Sequence, residues 1–195
     1  MTDRITAIVA HSLEVKRRFF NAHTAEVHRA AQMIAEAFKA GGKLLVFGNG
    51  GSAADAQHIA GELVNRFLQH RKALPAIALT TDGGVLTCIA NDTGFENIFA
   101  RQIEALGTKS DVCLAISTSG NSPNVTVACE QAGKQGMVVI GLLGRDGGRV
   151  AALCDLALIV PSDDTQRIQE THNLIGHIIC ELVEGDLFPV GDREQ

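Results

Sequence analysis

The sequence has no excess of positive charge. Its 17 lysines and arginines stand against 22 aspartates and glutamates, a formal net charge of -5 over 195 residues. General nucleic-acid binding needs a basic surface to meet the phosphates, so this balance argues against it. The five cysteines (Cys88, Cys113, Cys129, Cys154 and Cys180) are odd in number, widely spaced and without a CxxC pair. They suggest no disulfide framework and suit small buried side chains in a reducing compartment. No apolar run approaches the roughly 18 residues of a membrane span. The opening MTDRITAIVAHSLEVKRRFF carries charges at Asp3 and Arg4 and lacks the uninterrupted apolar stretch of a signal peptide. No low-complexity linker divides the chain. The expectation is a soluble, cytoplasmic protein that folds over 1–195 as one domain, its 46% hydrophobic content sufficient for a proper core.

What is present is alternation. Residues 3–40 place apolar side chains at helical spacing, through Ile5, Ile8, Val9 and Leu13 and again through Val27, Ala31, Ile34, Ala35 and Phe38, until Gly41-Gly42 stops the pattern. Short runs rich in Val, Ile and Leu then alternate with helix-like segments: Leu44–Phe47, Ala76–Leu79, Val112–Ile116, Val138–Leu142 and Leu156–Val160. Each is too uniformly apolar for a half-exposed strand, which predicts parallel strands covered on both faces. The fold class is therefore α/β: a doubly wound, three-layer αβα sandwich with a five-stranded parallel sheet and an N-terminal helical extension over 1–40. A last helix is predicted over Thr165 to Glu184.

Two of the strands run into similar turns. KLLVFGNGGS and DVCLAISTSGNS each pass from a strand through glycine and serine into a helix. In a parallel sheet both turns lie at the carboxyl edge, where open α/β sheets bind ligands. The first also satisfies the dinucleotide fingerprint as Gly48-x-Gly50-x-x-Ala53. The acidic residue expected about 20 residues beyond such glycines is not there; the candidate, Asp82, comes 29 residues after Ala53. The second turn, Ser117 to Ser122, precedes a helix predicted to start near Pro123, a favourable first-turn position. Free N–H groups, the helix dipole and hydroxyls make such a turn an anion site without any lysine. An ordinary Ser/Thr cap and turn would look the same; a second loop of the same kind favours the anion.

The helix after the first turn carries Asp55, His58, Glu62 and Arg66 at spacings of three, four and four, which stacks them on one side, with Ile59, Leu63 and Phe67 on another. His and Glu four apart can share a metal or act together in proton transfer. A solvated charge stripe has the same spacing. In the last helix Ile168, Ile175, Ile178, Ile179 and Leu182 mark the apolar face. His172 flanks that face as a possible core histidine, and His177 points nearly opposite. Periodicity selects no catalyst here.

The motifs FGNGGSAADAQH, PAIALTTD, IANDTGF, ISTSGNS, GRDGG and RIQETHNLIGH, in that order from about Lys43 to His177, resemble the sugar isomerase (SIS) domain family. Within it they resemble the bacterial phosphoheptose isomerases, which act on sedoheptulose 7-phosphate in the synthesis of nucleotide-activated heptose for lipopolysaccharide. The resemblance implies the SIS fold. It implies that Asn49, Gly50, Gly51 and Ser52, with Ser52 capping its helix, contact the sugar phosphate, and that Ser117, Thr118, Ser119 and Ser122 hold the phosphate. Asn91 and Asp92 would bind sugar hydroxyls. Glu62 would be the base moving a proton between C1 and C2 through an enediol, and His177 its acid partner.

Many members of the family place zinc among the counterparts of His58, Glu62, Gln169 and His177, which implies one zinc ion per subunit, with Gln169 also near substrate. Gln169 and His177 are eight residues apart, about 12 Å of helix rise, so one metal served by both suggests a distorted helix or a site shared between subunits. The family's tetrameric habit agrees with sharing, the N-terminal helices packing on the body and on neighbouring subunits. A related SIS protein that binds the bacterial replication initiator, and is not an enzyme, resembles the chain in AQH (56–58), PAIALTTD and LFP (Leu187 to Pro189). Glu62 and His177 favour the isomerase.

Overall fold

The computed structural model describes residues 2–189. A long helix, α1 (Thr2–Lys39), opens the chain, followed by β1 (Leu44–Gly48), α2 (Gly51–Val64), β2 (Ala76–Ala78), α3 (Gly83–Thr93) and α4 (Ala100–Leu106). Then come β3 (Val112–Ser117), α5 (Pro123–Lys134), β4 (Val138–Gly144), the single turn α6 (Gly148–Ala151), β5 (Leu156–Val160) and α7 (Thr165–Leu187). All strands pair in parallel in the order β2-β1-β3-β4-β5. The expected three-layer αβα sandwich with a five-stranded parallel sheet is what forms. The predicted N-terminal helices follow one another through a kink at His23, whose backbone is not helical (φ -125°, ψ 18°).

Both faces of the sheet are covered, which is why its strands read as continuous apolar runs. Every residue of β1 and β3 is buried. Leu44, Val46, Val112, Leu114, Ile116, Ile140, Leu142 and Leu158 face α1, α2 and α7. Their neighbours Leu45, Phe47, Cys113, Ala115, Val139 and Leu143 face α3, α4 and α5. This is the period-two alternation of a strand, with apolar residues demanded on each side. Burial pushes the Cys154 and Cys180 thiols up to about 12, so they act as packing groups.

The strand order reverses direction between β1 and β3, where the chain leaves β1 toward β2 and returns to β3. That is the switch point at which doubly wound sheets open a crevice at their carboxyl edge. The turns after β1 and β3 lie side by side there.

Candidate active site

The two turns are joined by side chains. Asn49 Nδ2 donates to Asn124 Oδ1 and Asn124 Nδ2 donates to Asn49 Oδ1, both at 2.8 Å. Asn124, fully buried in the first turn of α5, also accepts from Val125 N at 3.0 Å. The side chain of Asn49 thus ties one loop to the other. Close approach needs glycine: a Cβ on Gly48 would lie 2.6 Å from the Ile116 carbonyl and 2.8 Å from Ser52 Cβ. Gly50, with φ 55°, provides the helix N-cap of α2, so Ser52 is not the cap; it is buried in the first turn against Gly48.

The second turn is self-braced. Ser117 Oγ accepts from Gly120 N at 3.1 Å and lies 3.2 Å from Ser122 Oγ, and Ser119 Oγ accepts from Asn121 N. Ser122 stands at the N-cap position of α5 without a side-chain capping bond, and Pro123 opens the helix as the sequence predicts. Gly120 (φ 63°) packs on the GRDGG turn, where its carbonyl accepts from Val150 N, while Asn121 Oδ1 accepts from Arg149 N. Thr118 sits between these serines, half-buried.

Helices α2 and α7 leave this edge side by side and in step. Gln169 lies against Gly51, with Nε2 only 2.5 Å from where a Cβ would stand; Gly176 lies against Ile59; and Glu184 reaches the backbone of Phe67. Pairs some 117 residues apart therefore meet at every level. Two turns along, that register brings His58, Glu62 and His177 together. His58 Nε2 is 3.0 Å from Glu62 Oε1 and 3.4 Å from His177 Nε2. The three could hold a metal ion, since one ligand atom from each lies within 4.8 Å of the others. Imidazole nitrogens and a carboxylate suit zinc. His58 and His177 meet edge to face with ring centroids 4.9 Å apart, and the His177 ring also stacks on Phe67 at 5.8 Å.

A family model described as the SIS domain matches residues 9–144. The chain belongs to the SIS domain family. It is similar to the phosphoheptose isomerase of Trichlorobacter lovleyi, 56% identical over 86% of this chain and 85% of that protein. It is also similar to that of Aquifex aeolicus, 52% identical over 94% of this chain and 96% of that one. A solved phosphoheptose isomerase from Neisseria gonorrhoeae superposes with a TM-score of 0.90 at 42% identity, over 94% of this chain and 98% of that chain. With such relatives across nearly its whole length, this SIS domain is an aldose–ketose isomerase of sugar phosphates.

In the SIS domain the residues marked from sequence fall into three places. Asn49, Gly50, Gly51, Ser52, Ser117, Thr118, Ser119 and Ser122 share the carboxyl edge, joined there by Gln169. His58, Glu62 and His177 form the cluster two turns along α2. Within one chain Gln169 does not join them: it stands at the level of Gly51, about 12 Å of helix rise from His177. Asn91 and Asp92 are exposed near the end of α3, where Asn91 Nδ2 donates to Asp92 Oδ1. Arg66 and Phe67 are not on the helix, because α2 ends at Val64. Asp82 accepts from Val85 N as the N-cap of α3, a structural task rather than ribose binding.

Three residues escaped the sequence reading. Asn124 carries the loop clamp; a polar residue after a proline gave only a helix-start signal. Asn173 places its Nδ2 3.4 Å from His58 Nδ1. Asp55 was seen only as part of a stripe, yet its Oδ2 is buried with no hydrogen-bond partner among the described residues. Burial pushes its carboxyl up, with the Asn173 amide and His58 pulling the other way. His172 is the core histidine the pattern allowed: fully buried, with Nε2 3.0 Å from the Leu143 carbonyl, and burial lowers it to about 4.

Proposed function

We propose that the protein interconverts sedoheptulose 7-phosphate and D-glycero-D-manno-heptose 7-phosphate, in the synthesis of nucleotide-activated heptose for lipopolysaccharide. The observation that carries this is the meeting of Glu62 and His177 around His58, at a distance from a hydroxyl-rich double loop. An isomerase of a 7-phosphate must hold the phosphate at one end and rearrange C1 and C2 at the other. Here His58 lies six residues beyond Ser52, about 9 Å of helix rise along α2. The hydroxyls of Ser117, Thr118, Ser119 and Ser122, with the N-terminus of α5, would take the phosphate. Ser52 and the Gly50–Gly51 backbone would flank it, and the Asn49–Asn124 clamp would keep the two halves of the cradle at fixed separation.

In the reaction one group removes a carbon-bound proton and another protonates the neighbouring oxygen. Glu62 would take the proton from C1 of the ketose while His177 gives one to the C2 oxygen, leaving an enediol. Glu62 would then return its proton to C2 and His177 recover one from the C1 hydroxyl, leaving an aldehyde at C1. His58, Glu62 and His177 would hold one zinc ion per subunit. When bound, zinc supplies polarisation of the carbonyl oxygen. Gln169 can join that set only from another subunit.

Sharing between subunits is the assembly this suggests. The N-terminal half of α1 leaves Ile5, Ile8, Val9 and Leu13 exposed by 61%, 47%, 51% and 62%, a stripe suited to burial against another copy. A homotetramer would also let Asn91 and Asp92 of one chain approach the sugar on its neighbour. Among the described residues no helix is long and apolar enough to cross a membrane, and we place the protein in the cytoplasm.

The test is isomerisation of sedoheptulose 7-phosphate by the purified protein and by Glu62→Gln. Removing the base lowers kcat by roughly 10²–10⁴-fold with the fold intact. Full turnover by the variant would remove Glu62 from this role.

A further inference from the structure

A buried ion pair lies just beyond the cluster and is used by none of the steps above. The side chains of Arg71 and Glu184 are both 1% exposed, with Arg71 Nε donating to Glu184 Oε2 at 2.9 Å. Glu184 also accepts from three successive backbone amides, Phe67 N at 3.1 Å, Leu68 N at 2.7 Å and Gln69 N at 2.8 Å. Its carboxyl is held below the usual range: burial alone would raise it, and these four donors together overcome that. A buried pair is weak evidence of stabilisation, because desolvation offsets much of the attraction. Its geometry indicates what it is for.

The rest of the Arg71 fork closes the end of α2. Nη2 donates to the Glu62 carbonyl at 2.8 Å and Nη1 to the Leu63 carbonyl at 2.7 Å, two of the carbonyls a helix terminus leaves free. The same guanidinium therefore holds the backbone of Glu62 and, through Glu184, α7. Glu184 stands seven residues after His177, two turns along the same face of that helix. The amides that Glu184 gathers begin at Phe67, the residue whose ring stacks on His177.

We propose that Arg71 and Glu184 are positioning residues that set the spacing of Glu62 and His177, with the Phe67 ring as the element that orients the imidazole. The proposal rests on the assignment of those two groups to the reaction. One buckle spans the two helices that carry the cluster, and the loop it folds brings the Phe67 ring to stack on the histidine. His177 is then in contact with both Phe67 and His58. Its Nε2 faces the cluster without any hydrogen bond of its own to a rigid backbone group among the described residues.

The experiment compares the full-length protein with Phe67→Leu, Arg71→Lys and Glu184→Gln, using Arg101→Ala, at an exposed pair on α4, as the distal control. Two readouts are taken: kcat and KM on sedoheptulose 7-phosphate, and the ring proton shifts of His177 by NMR. The expected result is a folded Phe67→Leu with kcat at least tenfold lower, KM within twofold, and displaced His177 signals; Arg71→Lys shows the same split. A loss of stability alone would move neither the kcat-to-KM split nor those shifts in the folded fraction. Normal kcat in folded Phe67→Leu overturns the proposal, as does lost kcat with unmoved His177 signals. If Glu184→Gln does not fold, the other two variants decide. Failure of the wild type to turn over the substrate removes the function assigned above instead. The spectra of Arg71→Lys, a residue bonded to Glu62 and Glu184 and not to His177, then decide the positioning: displacement supports it and no displacement overturns it.

Discussion

Asn124→Ala should loosen the double loop, and the size of the effect follows from three contacts. The substitution removes both amide–amide bonds to Asn49 and the acceptor of Val125 N. Each is worth about 1 kcal/mol net, and a half-buried Asn49 amide left without a partner adds toward the low end of about 1–3 kcal/mol. The expected loss is about 3–4 kcal/mol, which for a chain of this length lowers the melting temperature by roughly 6–16 °C. Asn124→Asp separates stability from charge. It keeps an acceptor for Asn49 Nδ2 and for Val125 N and loses one donor, so the melting temperature falls by about half as much. It also sets a carboxylate at the proposed phosphate cradle, so KM for the sugar phosphate rises about tenfold, or 1.4 kcal/mol. Thermal melts and initial-rate kinetics on the two variants supply both numbers. A melting temperature for Asn124→Ala within 2 °C of wild type would refute the clamp, and an unchanged KM for Asn124→Asp would remove the phosphate from that loop.

His172 predicts an acid-sensitive core. Its pKa is about 4 in the fold against an ordinary 6.5, so the unfolded chain binds the proton first. The contribution is fully present above pH 6.5 and is lost as pH falls toward 4, amounting to roughly 3 kcal/mol. His172→Gln, which keeps a donor for the Leu143 carbonyl, should flatten the fall in urea midpoint between pH 7 and 4.5; an unchanged slope counts against it. Gly48→Ala drives a Cβ into the Ile116 carbonyl and Ser52 and should destabilise by about 1–3 kcal/mol through backbone displacement, read by chemical denaturation. Ile8→Glu with Leu13→Glu should reduce the assembly size in analytical ultracentrifugation, and an unchanged size would place the subunit contact elsewhere. His58→Ala should weaken zinc binding measured by competition with a chromophoric chelator, with equal affinity excluding His58 from the metal.

Much of the fold was legible because burial writes itself into local pattern. Five apolar runs too uniform for half-exposed strands marked a sheet covered on both faces, and Gly41-Gly42 and Pro123 marked helix ends where backbone geometry demands those residues. The errors lay where distant groups override a local period. The helical spacing of Arg66 and Phe67 continued the pattern of α2, but Arg71, from beyond the turn, takes the carbonyls that end the helix at Val64. Ser52 looked like a cap because serine often is one, whereas the turn required positive φ and used Gly50.

By itself the sequence determined the α/β class, the two glycine–serine loops and the His58–Glu62 pair, since each depends on residues within a few positions of one another. Its local spacing could not decide the partner of that pair, which only the resemblance to the SIS family named. His177 lies 119 residues from His58, and on its own helix it looked merely exposed. Only the parallel packing of α2 on α7, which pairs residues about 117 apart, sets His177 beside Glu62 and leaves Gln169 about two turns away at Gly51. The joining of Asn49 to Asn124 has the same origin. Strand order brings β1 next to β3, and proximity across a sheet is a property of topology that no local spacing records.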